Sequence, residues 1–223
     1  MADETYPAIC FDLETVPFNA PMTDGEFDPK WAKRAEGMDM TPEEMSALHP
    51  GLCQIAGIGF VLEGHDPTAR FFGDVEKGAD YGSEKELVET FVNMCQKMRV
   101  SSFITFNGGH FDWPVLLNRC AILGIPVPSV MYKAAIEYRY RPDMHMDVMD
   151  LVTLFGAGTR WSLDTYALAY LGEEKTSDGS QVHGMWTAHE YDKLREYAAK
   201  DADITWRIFN TWKGTIGLPP GGK

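Results

Sequence analysis

Asp12 and Glu14 stand in a segment whose other side chains are apolar. Ile9, Phe11 and Leu13 fall on one face by the two-residue period of a β-strand, and the apolar residues Ala8 and Cys10 lie on the other. The pattern predicts a strand buried on both faces, from which two carboxylates emerge side by side.

Asp201 has a comparable setting in a predicted helix. Leu194, Tyr197, Ile204 and Ile208 recur with Asp201 at spacings of three and four, which places the carboxylate inside the apolar stripe. Burying an isolated carboxylate is costly, so such a group needs a compensating cation. No lysine or arginine repeats with this spacing. A divalent metal ion is therefore the predicted partner.

A further acidic residue, Asp112, ends the run from Asn107 to Phe111 and lies two residues before Pro114. Capping of a helix N-terminus is a common task for aspartate and is the alternative to metal binding here. Tyr197 precedes Asp201 by one helical turn on the same face. The alternative to a catalytic role for Tyr197 is a core tyrosine whose hydroxyl is hydrogen-bonded.

These three segments together resemble the DEDD superfamily of 3′→5′ exonucleases, in its tyrosine-bearing branch. Asp12-Leu13-Glu14 matches the first motif, the segment from Asn107 to Asp112 the second, and Tyr197-x-x-x-Asp201 the third. The segments 145–150 and 177–181 resemble stand-alone relatives of the exonuclease domain of family B DNA polymerases. The resemblance spans roughly residues 6 to 212.

The resemblance implies a site for two divalent ions, Mg²⁺ or Mn²⁺, held by Asp12, Glu14, Asp112 and Asp201. Those four residues and Tyr197 are the predicted catalytic residues. A tyrosine hydroxyl, with an ordinary pKa near 10, is a poor general base at neutral pH. Tyr197 is therefore expected to orient the attacking water and to donate a hydrogen bond to the scissile phosphate.

The predicted substrate-binding residues are Leu13, Thr15, Asn107 and Phe111, of which Asn107 is also expected to fix the turn at Gly108 and Gly109. The segment from Tyr132 to Arg141 mixes aromatic and basic side chains and is a candidate track for a nucleic-acid strand. Asp147 and Asp150 are expected to be structural or to support the metal ligands, and His110 to be a loop or packing residue.

Composition fits a single globular domain, with 223 residues of which 44% are hydrophobic. The net charge of −13 disfavours a protein that grips long nucleic acids, and it favours weak, local, metal-dependent binding of a strand end. The four cysteines are widely spaced and are expected to be buried thiols. With no long apolar stretch and a polar N-terminus, the chain is expected to be cytoplasmic and to have no membrane contact.

The expected fold is α/β and a single domain at 1–212, with a tail at 213–223. Strands are predicted near 6–14, 53–62, 68–73, 102–106 and 145–149, and helices near 83–99, 113–123, 161–171 and 187–212. The resemblance implies that they form a ribonuclease H-like mixed sheet with helices on both faces. Residues 16–52 are expected to be an irregular insertion with one short helix near 42–48, and 172–186 a loop. Either could cover the site.

The function predicted is metal-dependent 3′→5′ hydrolysis of single-stranded nucleic acid, with DNA favoured, to nucleoside 5′-monophosphates. The predicted partners are single-stranded 3′ ends. The alternatives are the same chemistry on short RNA, a catalytically silent binding module on the same fold, and a metal-dependent phosphatase for small nucleotides. How the site treats a 2′-hydroxyl would separate DNA from RNA, and the sequence does not show it.

Overall fold

The computed structural model describes residues 6–18, 22–23, 25–137, 143–173 and 181–216, which contain a five-stranded mixed sheet. Its strands are β1 (Ala8–Pro17), β4 (Cys53–Leu62), β5 (Thr68–Phe71), β6 (Ser102–Thr105) and β7 (His145–Asp147), in the order β5-β4-β1-β6-β7. β4 is antiparallel to β1 and to β5, whereas β1, β6 and β7 are parallel. Two short strands, β2 (Met22–Thr23) and β3 (Glu26–Phe27), pair separately.

The described residues also form nine α-helices. They are α1 (Pro29–Glu36), α2 (Pro42–Ala47), α3 (Glu84–Lys97), α4 (Asp112–Leu123), α5 (Ser129–Glu137), α6 (Val148–Val152), α7 (Leu163–Leu171), α8 (Val182–Thr187) and α9 (Tyr191–Ile216). Local chemistry sets several ends. The Ser83 hydroxyl accepts from the Glu86 N–H at the start of α3, and α4 ends at Gly124, whose φ of 68° suits a residue without Cβ.

Two hydrophobic cores lie against the sheet, because its central strand is apolar on both faces. Ile9, Phe11 and Leu13 of β1 belong to the first core, where the Phe11 ring lies 5.2 Å from that of Trp113 on α4. Cys10 belongs to the second core with the C-terminal half of α9. The predicted mixed sheet with helices on both faces is confirmed.

A buried ion pair crosses the first core between α3 and α4. Arg119 Nε donates to Glu84 Oε1 at 2.7 Å, and both side chains are almost fully buried. Glu84 Oε1 also accepts from the Ile55 N–H at 2.8 Å. Ile55 pairs with Thr15 at the point where the register of β1 against β4 shifts, directly after Glu14. The ion pair thus holds the backbone next to one of the candidate site residues.

The segment 16–52 is more ordered than predicted. β1 continues to Pro17, and two helices follow where one was expected. The prolines are the reason: Pro29 and Pro42 occupy the first helical position after the N-caps Asp28 and Thr41, a position that suits proline because no N–H is needed there. The helix at Pro42 was predicted, whereas α1 was missed because Pro29 was treated as a breaker.

Three other boundaries differ from the predictions. Residues 148–149, predicted as strand, open α6, because the Asp147 carboxylate accepts from the Met149 N–H and caps that helix. Helix α8 fills the end of the predicted loop 172–186, and it has no side-chain cap that the sequence could reveal. Helix α9 starts at Tyr191 and runs on to Ile216, beyond the predicted end at 212. Residues 174–180 and the tail from 217 lie outside the described residues.

Candidate functional site

Asp12 and Glu14 of β1 and Asp201 of α9 form a compact acidic cluster. One oxygen of each carboxylate lies within 4.8 Å of the other two. Strand alternation puts Cys10, Asp12 and Glu14 on one face of β1, and the Cys10 thiol donates to the carbonyl of Ala202 at 3.5 Å. This face of β1 therefore meets α9 at the turn that carries Asp201.

A glycine on the neighbouring strand allows this close approach. Gly59 of β4 pairs with Asp12, and a Cβ added to Gly59 would lie 2.2 Å from the carbonyl oxygen of Ala198 on α9. Any other residue would push α9 away from the sheet at the level of the cluster. Sequence reasoning missed Gly59, although a glycine inside an apolar strand is a signal of close backbone approach.

The cluster has the chemistry of a divalent-cation site. Glu14 and Asp201 are buried and Asp12 is partly buried. Three carboxylates so close repel one another, and hard divalent ions such as Mg²⁺ and Mn²⁺ take oxygen ligands of this kind. These residues therefore fit the metal ions that the exonuclease motifs imply.

Asp112 lies beside the cluster but contacts the backbone of β1. Its Oδ1 accepts from the Leu13 N–H at 2.9 Å, between Asp12 and Glu14 in sequence. The N-cap of α4 is Phe111, without a side-chain capping bond, and Asp112 is the first helical residue, so the N-cap interpretation of Asp112 is wrong. Burial raises the pKa of Asp112 to about 7, against the lowering effect of the Leu13 hydrogen bond.

Tyr197 lies one turn before Asp201 and its side chain is buried. Burial raises the pKa of Tyr197 well above its ordinary value, and Glu14, Asp201 and Asp12 raise it further by charge repulsion. A hydrogen bond with the Asp201 side chain acts in the same direction. The hydroxyl therefore keeps its proton and is a hydrogen-bond donor in this field.

Asp147 holds the turn after β6, which is one of the two roles expected for it from the sequence. Its two carboxylate oxygens accept from the N–H groups of Asn107 and Gly109, at 2.8 and 3.0 Å. Asn107 has φ of 61°, and its side-chain oxygen accepts from Arg160 at 3.2 Å. The expectation that the Asn107 side chain fixes this turn is corrected, because the bonds to the turn N–H groups come from Asp147.

Arg160 was not predicted as a site residue. Its guanidinium donates to the buried Asp150 at 2.7 Å as well as to Asn107, and it retains partial exposure. A single arginine without a motif around it gives no signal in a sequence.

The segment 132–141, predicted as a track for a nucleic-acid strand, lies only partly within the described residues. Tyr132 and Lys133 are exposed on α5, and 138–142 lie outside the described residues.

Glu14 lines a cleft of about 480 Å³. Leu13, Thr15 and Phe111, three of the four predicted substrate-binding residues, line it. Its volume lies within the range usual for small-ligand sites.

The described part of the chain has no helix long and apolar enough to cross a membrane.

Comparison with known proteins agrees with these observations. The profile of a family described as predicted 3′-5′ exonucleases related to the exonuclease domain of PolB matches residues 47–216. The chain belongs to this family. The matched range contains Asp112, Tyr197 and Asp201, whereas Asp12 and Glu14 precede it.

Individual relatives of this exonuclease-family chain are DNA polymerases. A DNA polymerase of Thermococcus litoralis is 26% identical over 141 residues, covering 56% of this chain and 8% of the polymerase. DNA polymerase 1 of Aeropyrum pernix is 27% identical over 134 residues, covering 56% of this chain and 13% of the polymerase. The chain thus spans a small part of the length of these relatives.

A solved structure shares the fold. The family B DNA polymerase of the hyperthermophilic archaeon Pyrobaculum calidifontis superposes with a TM-score of 0.60 at 15% identity, over 93% of this chain and 24% of the polymerase. The superposition extends over nearly the whole chain, although the sequences have diverged far.

Proposed function

We propose that this chain is a 3′→5′ exonuclease of the tyrosine-bearing DEDD type, which removes nucleoside 5′-monophosphates one at a time from single-stranded nucleic acid, with DNA favoured. The observation that carries the proposal is the cluster of Asp12, Glu14 and Asp201 within 4.8 Å, at the edge of a cleft of about 480 Å³. Membership of the exonuclease family supports the same reaction.

The four carboxylates are the proposed ligands of two divalent ions, Mg²⁺ or Mn²⁺. Asp12, Glu14 and Asp201 would hold the ions directly, and Asp112 would complete the set of ligands from its place at the Leu13 N–H. The ions supply activation of the attacking water and stabilisation of charge on the phosphate and the leaving 3′ oxygen. The bond from Leu13 keeps Asp112 in register with the two carboxylates of β1.

Tyr197 is proposed to donate its hydroxyl proton, as a hydrogen bond, to the attacking water or to a phosphate oxygen. Burial of Tyr197 raises a pKa that is already high in a free tyrosine, which supports a donor and not a base at neutral pH. A donor fixed next to the reacting phosphate stabilises negative charge that grows in the transition state.

The direction of digestion tests the proposal. A linear single strand with a free 3′ end should be shortened one nucleotide at a time, with 5′-monophosphates as products. A covalently closed circle of the same sequence should survive, because it offers no end to the cleft. Matched RNA strands, assayed with Mg²⁺, Mn²⁺ and chelator, compare the DNA and RNA versions of the reaction. Rapid cutting of the circle would show an endonuclease and reject the proposal.

Replacement of Tyr197 by phenylalanine should lower the rate roughly tenfold to a hundredfold. The lost hydrogen bond to a charged group is worth about 1.5–3 kcal/mol, and the ring that packs in the core is retained. The loss should fall on kcat with little change in KM.

Single-turnover rates and the thermal shift on adding metal, measured for the wild type and Tyr197→Phe, check this prediction. Tyr166→Phe on α7 is the matched control, because its hydroxyl bonds to the Thr159 carbonyl instead. An unchanged rate for Tyr197→Phe would assign Tyr197 to the core alone, and a lost metal shift would assign it to support of the ions.

A further inference from the structure

Strand β4 carries one extra residue beside the acidic cluster. The pairing of β1 with β4 shifts by one residue between Glu14 and Thr15, which leaves Ala56 of β4 without a partner on β1. The Ala56 carbonyl accepts instead from the Phe72 N–H at 3.0 Å. A bulge of this kind bends its strand and changes the direction of neighbouring side chains. The direction of the Glu14 carboxylate therefore depends on the backbone of β4 at the bulge.

A carboxylate from α3 holds the backbone at this bulge. Glu84 Oε1 accepts from the N–H of Ile55, the residue next to Ala56, at 2.8 Å. Both Ile55 and Glu84 are buried, so no water would replace a lost partner of this N–H, and leaving it unpaired is costly. Glu84 is the first residue of α3, where the helix dipole favours a negative charge. The bond therefore ties β4 to α3 at the bulge.

Arg119 on α4 fixes this carboxylate in place. Its Nε donates to Glu84 Oε1 at 2.7 Å and its Nη2 to Glu84 Oε2 at 2.5 Å. Paired charge-assisted bonds of this kind are strong and define the geometry of both groups. The guanidinium carbon of Arg119 also lies 5.3 Å from the centre of the ring of Phe18, the residue that follows β1. Both oxygens of Glu84 thus have protein partners, so Glu84 acts on the backbone and is not itself a metal ligand.

We propose that Glu84 is a positioning residue for Glu14. Its bond to the Ile55 N–H keeps the bulge in one geometry, and the bulge keeps the Glu14 carboxylate close to the other two carboxylates of the cluster. The inference rests on the proposed function in one respect, the binding of divalent ions by this cluster. Mg²⁺ takes oxygen ligands at about 2.0–2.1 Å in near-octahedral geometry, so a small displacement of one carboxylate lowers the affinity. Loss of a residue that orients a metal ligand commonly weakens metal binding about tenfold to a hundredfold.

Two double variants separate positioning from stability. Glu84→Leu/Arg119→Met and Glu84→Gln/Arg119→Met both remove the ion pair without leaving a charge in the core, but only glutamine keeps an acceptor for the Ile55 N–H. We expect the first variant to raise the Kd for Mn²⁺, measured by calorimetry, about tenfold. The second should bind Mn²⁺ with nearly the wild-type Kd. Unfolding curves of each variant select a temperature at which all of them are folded, so that a loss of stability does not enter the comparison.

Glu86→Leu is the matched control, because Glu86 is exposed on α3 and accepts from the Gly82 N–H instead of from β4. It should keep the wild-type Kd. In hydrolysis, Glu84→Leu/Arg119→Met should need about tenfold more Mn²⁺ for a half-maximal rate and reach nearly the wild-type rate at saturation. If no strand is hydrolysed but the Kd values respond as expected, the proposed reaction fails and the positioning role stands. Equal Kd values for the two double variants, or no binding of Mn²⁺ by the wild type, would overturn the inference.

Discussion

Asp12→Asn should abolish hydrolysis and the stabilisation of the protein by metal while leaving the fold intact. Asp12 belongs to the cluster with Glu14 and Asp201, and the substitution removes one negative charge at nearly constant volume. A divalent ion contributes several kcal/mol to stabilising charge in the transition state, which corresponds to a loss of rate on the order of a thousandfold or more. In the wild type, Mg²⁺ or Mn²⁺ should raise Tm, because the ions bind the assembled site and not the unfolded chain.

Single-turnover hydrolysis of a 5′-labelled strand and thermal unfolding with metal or with chelator measure both effects. Asp192→Asn is the matched control: Asp192 lies on α9, is exposed, and pairs only with Arg195 in the contacts described. It should keep full activity and the full metal shift. Full activity of Asp12→Asn, or of the wild type in excess chelator, would rule out the metal mechanism.

Arg119→Met should produce the largest loss of stability. Arg119 and Glu84 are both almost completely buried, and the substitution would leave the Glu84 carboxylate charged in an apolar core. Breaking a buried pair by removing one partner costs about 3–5 kcal/mol. For a chain of this size that corresponds to a drop in Tm of roughly 10 °C. Because Glu84 also accepts from the Ile55 N–H opposite Thr15, the metal shift should shrink as well.

Urea unfolding gives the free energy of unfolding directly. The double variant Glu84→Gln/Arg119→Met should recover part of the loss, since glutamine keeps an acceptor for Ile55 and carries no charge. Glu190→Gln, which breaks the exposed pair with Lys193, is the surface control and should change stability by less than about 1 kcal/mol. A cost of Arg119→Met no larger than that of the control would contradict the prediction.

The acidic cluster could be predicted because a buried carboxylate interrupts a regular pattern of apolar residues in the sequence. Asp12 and Asp201 interrupt apolar patterns of two different periods, and each pattern fixes the element and the face. The mixed sheet with helices on both faces was implied by the family resemblance that the motifs carry. Periodicity does not give the distance between two elements, so it could not predict the pair of Glu84 with Arg119, 35 residues apart. For the approach of α9 at Gly59 the sequence held one signal, the glycine itself, but not the element that approaches it.

Short helices were the other failure, for a different reason. α2 was predicted, but α1 was missed although Asp28-Pro29 is a start signal of the same kind as Thr41-Pro42, because Pro29 was given too much weight as a breaker. α8 has six residues and no side-chain cap, so its sequence contains no start signal to detect. Its stability comes from tertiary contacts such as those of the buried Val182.

The absence of a side chain at Gly59 has a consequence for how variation in this chain should be interpreted. Ala198 lies so close that even an alanine at position 59 must displace α9, and with it both Tyr197 and Asp201, from β1. Such a variant would keep every ligand and still hold its carboxylates too far apart. A mutational scan scored by activity should therefore rank Gly59 with the acidic residues, whereas a search for conserved chemistry among polar side chains would pass over it.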